Sequence, residues 1–160
     1  MSDTYTLVSR RQFCTGGCQV ASCAALAALA SACGGSSPTS PSSPGGGVTA
    51  LGVLQGQFAG SAVQVTTAGS ALAEVGGAAL VESIAGLFLL ARTGTNTFAA
   101  VDAVCTHEAQ TITTTAGDIY VCQGHGSRFT RTGQVLGGPA QASLRQYATT
   151  FANGTVTIAI

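Results

Sequence analysis

The sequence predicts an all-β domain over residues 48–160, on three observations. Short segments rich in Val, Ile, Thr, Leu and Phe succeed one another there, punctuated by Gly and Asn, and none sustains a 3.6-residue period. Ala62-Val63-Gln64-Val65-Thr66 alternates apolar and polar residues, as a half-buried strand does. Near the end, Asn153-Gly154 separates residues 147–152 from 155–160, a strong hairpin signal because a type I′ turn needs positive φ at both central positions.

In chain order, residues 1–33 read as a targeting segment: a polar start, the pair Arg10 and Arg11, a mildly apolar run over 20–32, then Cys33. That run falls short of the roughly 20 residues that crossing a bilayer core requires. Ser9-Arg10-Arg11-Gln12-Phe13 resembles the twin-arginine export signal, although Cys14 and Thr15 stand where that signal continues with an apolar residue and a lysine. The positive end of an ordinary secretory signal is the alternative. Leu29-Ala30-Ser31-Ala32-Cys33 resembles a lipoprotein processing site with Cys33 as the lipidated residue; Ala30 replaces the usual leucine, so simple cleavage after Ala32 is the alternative. Residues 34–47 contain only Gly, Ser, Pro and Thr, which cannot bury apolar surface, and are expected to form a disordered tether.

Within the domain, residues 87–91 form a run of the fully buried type, and 97–104 lead directly into Cys105. Residues 71–84 fit either a short helix or a strand. Ala116-Gly117-Asp118 marks a turn, and the final hairpin closes the chain.

Charged residues are scarce, all six basic ones are arginine, and the formal net charge is zero, which excludes the electrostatic footprint of a nucleic-acid binder. Four of the six cysteines, Cys14, Cys18, Cys23 and Cys33, fall in the leader. The first three have no assigned role there. Cys105 and Cys122 remain, and for two cysteines in an exported domain a structural disulfide is the plain reading until their neighbours are considered.

Those neighbours are both histidines of the protein, in Cys105-Thr106-His107 and Cys122-Gln123-Gly124-His125. A turn at 116–118 lies between the pairs, so two strands could bring four ligands together. Two thiolates and two imidazoles suit either tetrahedral Zn²⁺ or an iron–sulfur cluster, and the pairs alone do not separate the two.

The flanking residues resemble the Rieske family, whose two loops read C-x-H and C-x-x-H-G-S; here they stand as Cys105-Thr106-His107 and Cys122-Gln123-Gly124-His125-Gly126-Ser127. The similarity continues through Arg128-Phe129-Thr130-Arg131-Thr132-Gly133-Gln134-Val135-Leu136-Gly137-Gly138-Pro139-Ala140 and covers roughly residues 98–160. It implies an antiparallel β-sandwich with a small subdomain of two cluster-binding loops. By position it also implies one [2Fe–2S] cluster, with Cys105 and Cys122 on one iron and His107 and His125 on the other. Two histidines in place of two cysteines make the oxidised site less negative and raise its potential. A twin-arginine route, which exports folded proteins, suits a cofactor assembled before export.

Three positions tune that implied cluster. Ser127 keeps the hydroxyl that in the family donates to a cluster sulfide, Phe129 stands where high-potential members have tyrosine, and Pro139 follows two glycines in the loop that covers the cluster. High-potential members also carry an extra cysteine in each loop, where this chain has Gln110 and Gly124. Fewer donors to sulfur predict a potential in the middle or lower part of the roughly −150 to +300 mV range of Rieske centres. Glu108, Arg128 and Arg131 read as solvated surface charges.

No nucleophile with its base, phosphate-cradling loop or second iron site is recognisable, so no catalytic site of the chain's own is expected. The Rieske resemblance implies one-electron transfer, the leader and the linker make the protein an exported, tethered one, and its expected partner is a redox protein such as a c-type cytochrome. The alternative is the Rieske subunit of a larger oxidoreductase, such as a quinol–cytochrome c reductase or an arsenite-oxidase-like enzyme; a remote one is a structural zinc module.

Overall fold

The computed structural model describes residues 47–160; the expected leader with Arg10, Arg11 and Cys33, and the expected tether up to residue 46, lie outside the described residues. In chain order the strands are β1 (Thr49–Ala50), β2 (Gly52–Gln55), β3 (Gln57–Ala59), β4 (Ala62–Thr66), β5 (Ala78–Ser83), β6 (Gly86–Arg92) and β7 (Phe98–Asp102). They continue as β8 (Thr114–Ala116), β9 (Ile119–Val121), β10 (Arg128–Thr130), β11 (Val135–Gly137), β12 (Gln146–Tyr147), β13 (Thr149–Ala152) and β14 (Thr155–Ala159). The ambiguous residues 71–84 begin as a 3₁₀ turn, Ala71–Ala73, capped by the Ser70 hydroxyl accepting from Leu72 N at 3.2 Å, and end in β5.

Three sheets result: β12-β7-β6-β5-β2, β13-β14-β4-β3 and β1-β8-β9-β10-β11. Neighbouring strands run antiparallel, as expected for the sandwich, except β2 and β5, which pair in parallel from Gly52↔Ala79 to Gln55↔Glu82.

The first of these sheets is the middle layer, because its two faces feed two different cores. Ala79, Val81, Phe88, Leu90, Phe98 and Ala100 pack with Val63, Val65, Val156 and Ile158 of β4 and β14. The intervening residues Ala78, Leu80, Leu89, Ala91 and Val101 pack on the opposite side with Ile112, Tyr120, Cys122 and Phe129. A strand buried on both faces has no reason to alternate, which explains the unbroken run over 87–91. The outer strands β4 and β14, buried on one face, alternate cleanly. At the final turn Asn153 (φ 51°) and Gly154 (φ 74°) both adopt the left-handed conformation that the hairpin requires, and Ala152 pairs with Thr155.

Candidate metal centre

The chain leaves the middle sheet at Asp102, whose Oδ1 accepts from Val104 N at 2.9 Å, and folds back on itself at Thr111, which bridges Val104. Between them lies the first loop. Ala109 N donates to Cys105 O at 2.9 Å, and Cys105 N donates to Gln110 O at 2.8 Å. Closing so tight a loop forces Ala109 to φ 54°, a conformation in which a side chain is costly.

The second loop repeats this frame between β9 and β10. Gly126 N donates to Cys122 O at 2.9 Å, Cys122 N donates to Ser127 O at 2.9 Å, and Gly126 sits at φ 74°. Each cysteine therefore starts a six-residue loop whose fifth residue is left-handed and whose sixth supplies the closing carbonyl. The β8–β9 hairpin, turning at Gly117 (φ 57°), joins the two loops.

This frame brings the four sequence-predicted ligand residues to one end of the domain. Cys105 and Cys122 are free thiols, each 2% exposed, and belong to the same apolar cluster as Leu89 and Val101. Burial pushes the Cys122 thiol up, and the adjacent Cys105 adds to the rise, while the Gly124 and His125 backbone amides oppose it. The His107 and His125 rings lie with centroids 4.9 Å apart at 79°. His107 Nδ1 is buried without a hydrogen-bond partner, an orphan of the kind that folded proteins avoid unless something else satisfies it. His125 is on the outside, its Nδ1 3.5 Å from Glu108 Oε2. Two buried sulfurs and two convergent imidazoles, one of them with an unpaired ring nitrogen, thus form a donor set that fits a thiolate- and imidazole-bound metal group.

A third segment ties the loops together. Ala140 N donates to the buried Ser127 Oγ at 3.1 Å, on the second loop. Two residues on, Ala142 O accepts from Thr106 Oγ1 at 2.6 Å, on the first. Pro139 lies between these tethers and the preceding Gly138, which turns at φ 88°. Phe129 is fully buried in β10 and offers no hydroxyl.

Sequence reasoning missed the Thr106–Ala142 tether and treated Gln110 only as a place where a cysteine is absent. The repeated register, Cys105 to Gln110 and Cys122 to Ser127, was the available signal for the shared frame. Arg131 is not the solvated charge expected: its Nη2 donates to Gly117 O at 2.8 Å and its guanidinium carbon lies 4.8 Å from the centroid of the buried Tyr120 ring. Among the described residues the Tyr120 hydroxyl has no hydrogen-bond partner, and burial, opposed by the Arg131 guanidinium beside it, raises its pKa from 10.0 to about 12.

Known proteins resemble this chain in sequence and in fold. Residues 57–148 match the family model described as Rieske [2Fe-2S] domain. A cytochrome b6-f complex iron-sulfur subunit from Chlorobaculum tepidum is 32% identical over 62 residues, which cover 38% of this chain and 34% of the relative. The match thus spans about a third of that relative's length. Among solved structures, the complex of reduced oxygenase and oxidized ferredoxin in carbazole 1,9a-dioxygenase aligns with a TM-score of 0.50 at 23% identity, covering 62% of this chain and 93% of that one. Naphthalene 1,2-dioxygenase with indole bound in its active site aligns with a TM-score of 0.53 at 17% identity, covering 64% of this chain and 26% of that one. At these identities the two structures speak for the fold alone.

Proposed function

Because the chain belongs to the Rieske [2Fe-2S] domain family, whose cofactor is a [2Fe–2S] cluster serving electron transfer, we propose that Cys105, His107, Cys122 and His125 hold that cluster. The observation that carries the assignment is the pair of matched loops, each presenting one buried thiol and one histidine, with His107 Nδ1 left unpaired between them. When bound, the cluster takes up and gives back one electron at a time.

The chain's own residues shape that exchange. The cysteines sit in the apolar cluster, while His125 is 44% exposed, so the histidine side faces a docking partner. The Ser127 hydroxyl accepts from Ala140 N, and its proton stays free to donate toward a sulfur. Phe129 excludes water without adding a second such donor. Pro139 lies on the segment that fixes the Ser127 orientation.

The functional reading is a small electron-transfer protein, exported by way of Arg10 and Arg11 and held at a membrane surface through a lipid on Cys33 and the tether that follows, exchanging electrons with a redox protein such as a c-type cytochrome. A second reading, the iron–sulfur subunit of a larger oxidoreductase, is favoured by the name of the curated relative. Purification of the full chain from cells competent in cluster assembly tests both. Two irons per chain, with an EPR signal appearing on dithionite reduction, support the cluster; a colourless protein with one zinc refutes it. A soluble monomer that only cycles its cluster supports the shuttle, and a stable large partner with turnover supports the subunit.

A further inference from the structure

We infer that the Gln110 side-chain amide donates a hydrogen bond to the Cys122 sulfur and thereby raises the potential of the centre. This rests on the reading of Cys122 as a cluster ligand. Gln110 Oε1 lies 4.0 Å from Cys122 Sγ, across from the other loop. A Cβ built on Gly124 would fall 1.8 Å from Gln110 Oε1, 2.5 Å from its Cδ and 2.8 Å from its Nε2. The amide therefore occupies the space that any side chain at position 124 would need, and the glycine is what admits it. Its backbone is fixed as well, because Gln110 O closes the first loop on Cys105 N and Ala109 accepts a left-handed conformation to deliver it.

The two ends of a glutamine amide have nearly the same shape, and a half-turn of the last torsion exchanges them. An oxygen toward sulfur suits a thiol, which is a weak donor. A metal-bound thiolate has no proton and only accepts, so it repels the oxygen and attracts the NH₂ group in a charge-assisted hydrogen bond. Donation of that kind offsets negative charge on sulfur, and reduction adds such charge, so the reduced form gains more than the oxidised one. Gln110 thus acts at a position where the sequence comparison registers only a missing cysteine.

The test is a redox titration, followed by EPR, of the full chain and its variants after iron and sulfide have been counted. Gln110→Leu keeps the bulk without the donor and is expected to lower the midpoint potential; Gln110→Glu, with a carboxylate of the same shape, lowers it further. Gly124→Ala displaces the amide with Gln110 intact and lowers the potential as well, but has little further effect when added to Gln110→Leu. The midpoint potential of the loaded protein, and not its stability, is the readout that a merely structural role would not move, and Gly124→Ala supplies the measurement if Gln110→Leu fails to load. A potential unmoved in any loaded variant overturns the inference alone. A wild-type chain without iron overturns the ligand assignment, and this inference with it.

Discussion

A Cβ built on Gly138 would stand 2.6 Å from the Ser127 Cα and 2.9 Å from its backbone nitrogen, so the two backbones touch with no room for a side chain. Gly138 also sits at φ 88°, where only glycine is unstrained. Gly138→Ala is therefore expected to cost about 2–4 kcal/mol, the sum of an overpacking and a left-handed penalty. Chemical denaturation of the wild type and the variant checks this, and a loss under about 1 kcal/mol would contradict the close approach.

Ser127→Ala removes the only acceptor that the structure gives the buried Ala140 N–H. Leaving that donor unpaired is expected to cost about 1–3 kcal/mol. The same variant is expected to lower the potential of the loaded protein, since one donor toward sulfur is gone. Unchanged potential with reduced stability would assign the hydroxyl to Ala140 alone.

The folded-state pKa of Tyr120, raised from 10.0 to about 12, makes alkaline stability a test of its environment. Below pH 10 the phenol is neutral in both states and adds no pH dependence. As pH rises past 10 the unfolded chain releases the proton first, so stability falls until the folded pKa is reached. Two pKa units correspond to about 3 kcal/mol. Tyr120→Phe is expected to flatten the stability profile between pH 10 and 12, measured as denaturant midpoints, with little loss at neutral pH because the hydroxyl has no partner. Parallel profiles for the two proteins would rule out the buried phenol as the cause.

Stripping the metal leaves the Cys105 and Cys122 thiols buried and His107 Nδ1 without a partner. At about 2 kcal/mol for such orphaned donors, Tm is expected to fall by roughly 10 °C in the iron-free protein. Calorimetry of the loaded and chelated forms measures it, and coincident transitions would mean that these atoms bind nothing.

With Phe129 in place of a hydroxyl donor, the midpoint is expected in the middle or lower part of the roughly −150 to +300 mV span for such centres. Titration to a value above about +250 mV would contradict this.

The outer strands and the final hairpin were legible because their signals are local: alternation in residues 62–66, and two positive-φ positions at Asn153-Gly154. The four candidate ligands could be named from the sequence because chemistry restricts the residue types, and each pair lies within one loop. Residues 71–84 stayed ambiguous, since a short apolar run carries neither period clearly. The parallel β2–β5 pair, the Thr106 tether to Ala142 and the seat of the Gln110 amide against Gly124 depend on contacts between distant segments, and no local pattern encodes them. Arg131 was misread for the same reason, because its partners are Tyr120 and the Gly117 carbonyl across the sheet.

The doubly covered middle sheet also governs how the sequence can drift. Along β4, Gln64 can change freely between the fixed Val63 and Val65, so neutral substitutions accumulate at every second position. Along β6 there is no free position from Phe88 to Ala91, since a residue that turns from one core enters the other. Relatives of this domain should therefore diverge in an alternating rhythm on the outside and hold a solid apolar block within, and a deep substitution scan of the two strands would display both patterns.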